Sequence, residues 1–143
     1  MTQVDFYLIA GAQPRDRHRF VCRLSEKAYR QGHQIYIHTG SAEESQQLDD
    51  LLWTFSAESF VPHATLESDE ADLSPILIGH TTEPEAHHDT LINLTDQVPA
   101  AFSRFDRLVE LVSQDEGQRT QARDRFKFYR ERGYQPNTHD LVK

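Results

Sequence analysis

Side chains able to bind a charged partner concentrate between Arg119 and Thr138, in the run RTQARDRFKFYRERGYQPNT. From Arg119 to Arg132 six basic residues (Arg119, Arg123, Arg125, Lys127, Arg130, Arg132) stand against two acidic ones (Asp124, Glu131), a net +4. The whole chain is −8, which leaves −12 on the remainder. A concentrated positive strip on a negative body repels polyanions in general but admits a small anionic partner that fits. At about 100° per residue, Arg119, Arg123, Lys127 and Arg130 share one quadrant of a helix, with Phe126 on its edge. Ala122 and Tyr129 continue round from there toward the buried side. Two readings follow. One is a solvated charged face laid over core aromatics, the usual meaning of such a pattern. The other is a dock for a short acidic peptide with aromatic anchors, or for a chain-terminal carboxylate.

Other candidate chemistry is thinner. The turn after the first hydrophobic run reads GAQPRDR, with neither GxGxxG nor GxxxxGK[ST], so no phosphate cradle is visible. Eight histidines invite a metal site, and His87, His88 and Asp89 are adjacent, with Glu83 and Glu85 nearby. No HExxH or other ligand spacing appears, and neighbours on an extended chain point apart, which favours a plain polar loop. His33, His38 and His63 read as hydrogen-bonded structural residues. Cys22, the lone cysteine, reads as a small buried hydrophobe, excludes an internal disulfide and fits a reducing cytosol. No cofactor is expected. A metal- or nucleotide-dependent hydrolase on the same scaffold rests on fold analogy and the histidine count alone. A direct nucleic-acid binder could use the same strip, against an acidic body that gains little from counterion release.

The elements that must position these residues follow from pattern. The 143 residues are expected to form one domain, 1–143, burying roughly 70% of the unfolded chain's surface. Val4–Ala10 reads as a strand stopped by Gly11. Pro14 opens a helix to about Gln31, with Phe20, Val21, Leu24 and Ala28 on one face and Gly32 past its end. Gln34–Thr39 is a second strand. Ser41 and Glu44 have capping-box spacing for a helix whose stripe is Leu48, Leu51, Leu52 and Phe55. Strand, helix, strand, helix implies right-handed crossovers and a mainly parallel sheet flanked by helices, an α/β fold. AESFVPHAT reads as a loop, Glu67, Asp69, Glu70 and Asp72 as an acidic connector, and PILIG and TLINL as buried strands around the polar loop HTTEPEAHHD. Pro99 starts a short helix through Phe105. Arg107–Val112, RLVELV, is open between helix and strand, since short apolar runs do not settle the period. Asp115 and Glu116 suit a final helix's N-terminus, and Gly133 its end. The N-terminus lacks a basic leader and no apolar run is long enough to span a membrane, so a cytoplasmic location without membrane contact is expected.

Trp53 carries a second binding signal. If its helix continues to Phe55, Trp53 points roughly 150° from the leucine stripe. With Phe60, Val61 and Pro62 it would then form an apolar anchor for another protein. If the helix ends at Leu52, Trp53 turns inward.

The chain resembles the chi subunit of bacterial DNA polymerase III, a clamp-loader accessory subunit, from end to end. The resemblance is carried by the opening FYLI strand, CRLSEKAYRQGH, LDDLLW followed by AESFVPH, the PILIG and LINL strands, and RDRFKFYRERGYQPNT. It implies a nucleotide-binding-like topology without nucleotide activity, a strand at Arg107–Val112, and no catalysis. It further implies a heterodimer with the psi subunit, which tethers the chain to the clamp loader. A separate surface would grip the acidic, aromatic C-terminal tail of single-stranded DNA-binding protein (SSB), so that nucleic acid is contacted only indirectly. On the resemblance the tail site falls on Val112, Arg123, Phe126 and Lys127, with Asn137 and Thr138 close by. A relative has tyrosine at the position of Phe126. The psi-facing surface maps to Trp53, Phe60, Val61 and Pro62, which in some relatives also meets a repair helicase. With the resemblance added, both the strip and the tryptophan patch are expected to be functional surfaces.

Overall fold

Strands buried on both faces read as unbroken apolar runs, because no face is left for polar residues. Ile35-Tyr36-Ile37, Ile76-Leu77-Ile78 and Leu108-Val109 are all buried in this way. The computed structural model describes residues 1–54, 62–66, 74–80, 84 and 87–142. Its elements are β1 (Gln3–Leu8), α1 (Pro14–Arg30), β2 (Ile35–His38), α2 (Ala42–Thr54), β3 (His63–Thr65), β4 (Ile76–Gly79) and β5 (Thr90–Asn93). A 3-10 turn (Phe102–Arg104), β6 (Arg107–Val112), α3 (Glu116–Glu131) and β7 (Asn137–Asp140) complete them. The described strands form a seven-stranded sheet in the order β3-β4-β2-β5-β6-β1-β7, with every pairing parallel. The expected α/β architecture with a parallel sheet is thus observed.

On one face, α1 and α2 lay Val21, Cys22, Leu48 and Leu52 on Ile35, Ile37, Ile76, Ile78, Ile92 and Val109. Each such side chain contributes about 1.5–3 kcal/mol by leaving water. Burial pushes the Cys22 thiol up to about 12, so it stays protonated and packs as a hydrophobe. On the other face, Ala122 and Tyr129 of α3, with Phe102 and Phe105, cover Val4, Phe6, Leu91, Leu108 and Val112. The Glu44 amide donates to Ser41 Oγ at 3.1 Å, while Glu44 Oε1 accepts from the Gly40 amide at 2.9 Å, so the expected cap closes on the preceding residue. Asp115 caps α3 by accepting from the Gln118 amide at 3.0 Å, and Gly133, at φ 91°, ends it in the left-handed conformation.

Several elements differ from expectation. The first strand ends at Leu8, short of Ala10. The described end of the AESFVPHAT loop is strand, β3, beside β4; His63 occupies an inward position because its Nε2 lies 3.2 Å from the Asp49 carbonyl and 3.3 Å from its Oδ1. The Pro99–Phe105 stretch forms only a 3-10 turn, whose period of three buries Phe102 and Phe105 together. Arg107–Val112, left open by periodicity, is strand β6 between β5 and β1, as the resemblance implied and so not a departure. β7 has the sequence NTHD, without an apolar residue, and escaped the pattern reading altogether. Phe55 and the acidic connector Glu67, Asp69, Glu70 and Asp72 lie outside the described residues.

Candidate functional site

α3 leaves the sheet where β6 ends and runs back across β1, while β7 extends the sheet on the far side of β1. Between helix and edge strand lies an open groove of about 440 Å³. Its floor is Phe6 and Leu8 of β1 with Val112 of β6; one wall is Arg119, Ala122, Arg123 and Phe126. Ser113 and Gln114 close the end near the strands' carboxyl termini, and Asp140 with Val142 form the opposite wall. Phe126 stands edge-on to Phe6, ring centres 5.2 Å apart, which fixes it as a half-buried shoulder.

Arg119, Arg123, Lys127 and Arg130 are exposed, and no described carboxylate lies within ion-pair distance of any of them. Arg119 and Arg123 face the groove; Lys127 and Arg130 continue the strip along the helix beyond it. Arg125 does not belong to the strip. It is buried, its Nε donating to Glu110 Oε1 at 3.1 Å. Glu110 is wholly buried and also accepts from Tyr129 Oη at 2.7 Å and Asn93 Nδ2 at 3.1 Å. Burial pushes its carboxyl upward, against the pull of these donors. The signal was in the chain: an acid inside RLVELV, and Ala122, Arg125 and Tyr129 at i, i+3 and i+7.

The structure brings Val112, Arg123 and Phe126 together and sets Lys127 beside them. In the register of β7 on β1, Thr138 pairs with Phe6 and Asn137 with Asp5. Thr138 therefore shares the groove face, but Asn137 faces the other side, where its Nδ2 donates to Asp5 Oδ1 at 3.2 Å. Asp5 also holds Arg107 Nε at 2.8 Å and His139 Nε2 at 3.1 Å, and His139 stacks on Tyr7 at 4.6 Å. Arg119 belongs to the strip read from helical geometry, whereas sequence reasoning missed the groove residues Asp140, Val142, Phe6 and Leu8. These four depend on sheet register, which periodicity does not supply.

The second patch lies far along the sheet. α2 runs to Thr54 and Trp53 is 54% exposed, so the outward alternative holds; its ring meets His63 edge-on at 4.9 Å. Pro62 is half-buried, and Phe60 and Val61 lie outside the described residues.

A second cavity, about 360 Å³, opens at the carboxyl ends of β2, β5 and β6, where α/β folds commonly bind nucleotides. Arg17 and Arg125 line it, with Gly40, Thr95, Asp96 and Gln121 among the rest. Arg17 lies 3.8 Å from Glu44 and donates to the Leu94 carbonyl at 3.3 Å. At the first turn of α1 the Gln13 amide donates to Asp16 Oδ2 at 3.1 Å, and a side chain at Gly11 would strike that carboxylate. A carboxylate occupies one of the amides a phosphate would need. His87 is buried and His88 exposed; His33 pairs with Asp89 at 3.1 Å, and His38 Nδ1 lies 3.1 Å from Tyr36 Oη. Among the described residues no three His, Cys, Asp or Glu side chains converge on a metal position.

Residues 1–137 match the family model described as DNA polymerase III chi subunit, HolC. The chain belongs to the DNA polymerase III chi subunit family. A Pseudomonas aeruginosa DNA polymerase III subunit chi is 44% identical over 141 residues, covering 99% of this chain and 98% of that protein. The Escherichia coli subunit chi is 27% identical over 143 residues, covering 96% and 97%. Membership makes this chain an accessory subunit of the DNA polymerase III holoenzyme and places it in DNA replication. The fold is also similar to that of T4 UvsW, with a TM-score of 0.63 at 9% identity over 98% of this chain and 42% of that one. The family match ends at Asn137, where β7 begins, so Asp140 and Val142 lie past it. No described helix is long and apolar enough to cross a membrane.

Proposed function

We propose that this chain is a non-catalytic cytoplasmic adaptor that binds the acidic C-terminal tail of SSB in the α3–β7 groove. Through the Trp53 patch it would pair with the psi subunit, and psi would tether it to the clamp loader, which thereby reaches SSB-coated template. One observation carries the reading: an apolar floor beside Phe126 is flanked by Arg119 and Arg123, with no described carboxylate within ion-pair distance of either. An aromatic side chain at the tail's end fits Phe6, Leu8, Val112 and Phe126, while the guanidiniums take its carboxylates in charge-assisted hydrogen bonds. Family membership supports the replication setting.

The test is fluorescence anisotropy of a labelled SSB tail peptide titrated with wild type, Arg123→Glu and Lys127→Glu. Arg123→Glu, inside the groove, should weaken binding at least about tenfold, and Lys127→Glu, at its edge, about three- to fivefold. Wild-type affinity should fall as salt is raised. Unaltered affinity in both variants would remove the groove from the reading.

A further inference from the structure

We infer that Asp140 is the specificity-determining residue of this groove, the one that admits an acidic peptide and turns away a nucleic-acid strand. The inference rests on the tail-binding reading above. A cationic groove on a replication protein has an obvious competitor for its ligand, since single-stranded DNA is a polyanion that guanidiniums attract without discrimination. The groove needs a feature that a peptide tolerates and a phosphodiester chain does not.

Asp140 is placed to be that feature. The register of β7 on β1 pairs it with Leu8, so it stands on the α3-facing side of the sheet, across the floor from the helix wall. Its Oδ1 accepts the Val142 amide at 3.0 Å, which anchors the carboxylate on the groove wall and brings Val142 into that wall beside it. The charged groups lining the groove are Arg119 and Arg123 on the helix side and Asp140 on the strand side; the rest are neutral. Charge is therefore divided by wall. An acidic peptide with a bulky apolar end can conform to that division, setting carboxylates along α3 and apolar atoms against Leu8, Val112 and Val142. A nucleic-acid strand carries a charge at every nucleotide, so threading the groove brings phosphates within a Debye length of Asp140. It also gains less from the apolar floor.

Anisotropy with two probes separates the possibilities: a short aspartate-rich peptide ending in phenylalanine with a free carboxylate, and an oligothymidylate of matching length. Wild type should bind the peptide at least about tenfold more tightly than the oligothymidylate at moderate salt. Asp140→Asn keeps an oxygen to accept the Val142 amide and removes only the charge. It should raise oligothymidylate affinity about fivefold and peptide affinity less than about twofold. Val142→Ala should weaken the peptide about threefold and leave the oligothymidylate unaltered. An Asp140→Asn variant that changes neither ligand, or both by one factor, overturns the inference while the peptide reading stands. A wild type that ignores the peptide overturns the reading and the inference together.

Discussion

Two of the cavities lined by arginine from α3 treat its charge in opposite ways. At the carboxyl ends of β2, β5 and β6, Arg125 is buried against Glu110, and Arg17 has Glu44 within ion-pair distance. In the groove between α3 and β7, Arg119 and Arg123 are exposed above an apolar floor, and no described carboxylate pairs with either. A single helix thus ties one guanidinium to the sheet and leaves others exposed, according to which side of its axis each leaves. Basic composition alone does not mark a binding surface. What marks it is positive charge left unneutralised beside apolar atoms.

The most severe way to break this contrast is Glu110→Ala. It strands the Arg125 charge and the Tyr129 hydroxyl in the core and should cost about 3–5 kcal/mol, read as a lower urea midpoint at unchanged slope. Molecules still folded should bind the tail peptide as before, because the groove arginines do not depend on that pair.

A smaller effect sharpens the comparison from the other face of the sheet. Burial raises the Asp5 carboxyl, but hydrogen bonds from Arg107, His139 and Gln3 outweigh it and hold the group below its ordinary 3.8. A depressed carboxyl stabilises the fold fully above the unfolded value. That stability is lost as pH falls through about 4 toward the folded value. Urea midpoints should drop over this range in wild type and less steeply in Asp5→Asn.

Smallest in stability is Trp53→Ala. The side chain is just over half exposed and meets His63 edge-on, so unfolding should shift by about 1 kcal/mol. Co-purification with psi should nevertheless be lost. Retained psi would detach that patch from the proposed adaptor role.

Legibility in the sequence followed hydrophobic pattern. α1, α2, β2, β4 and β5 were readable because their apolar spacing matches 3.6 residues or an unbroken buried run. The strip on α3 was readable from helical geometry, but Arg125 was counted with it because charge was tallied before burial was considered. Periodicity left RLVELV undecided, and the resemblance to a family resolved it. β7 could not be seen: NTHD has no alternation, and what makes it a strand is pairing with residues more than a hundred positions earlier. Asp140 and Val142 were invisible for the same reason, as was the turning of Asn137 toward Asp5.

That final strand has a consequence for the life of the protein. Four residues long, exposed throughout and paired among the described strands only with β1, it forms one wall of the groove and is an edge of the sheet that opens cheaply. Opening it would erase the wall bearing Asp140 and Val142 while the other six described strands stay paired. On the proposed reading, ligand capture and strand docking are therefore coupled: a bound peptide spanning both walls should slow amide exchange at 139 and 141.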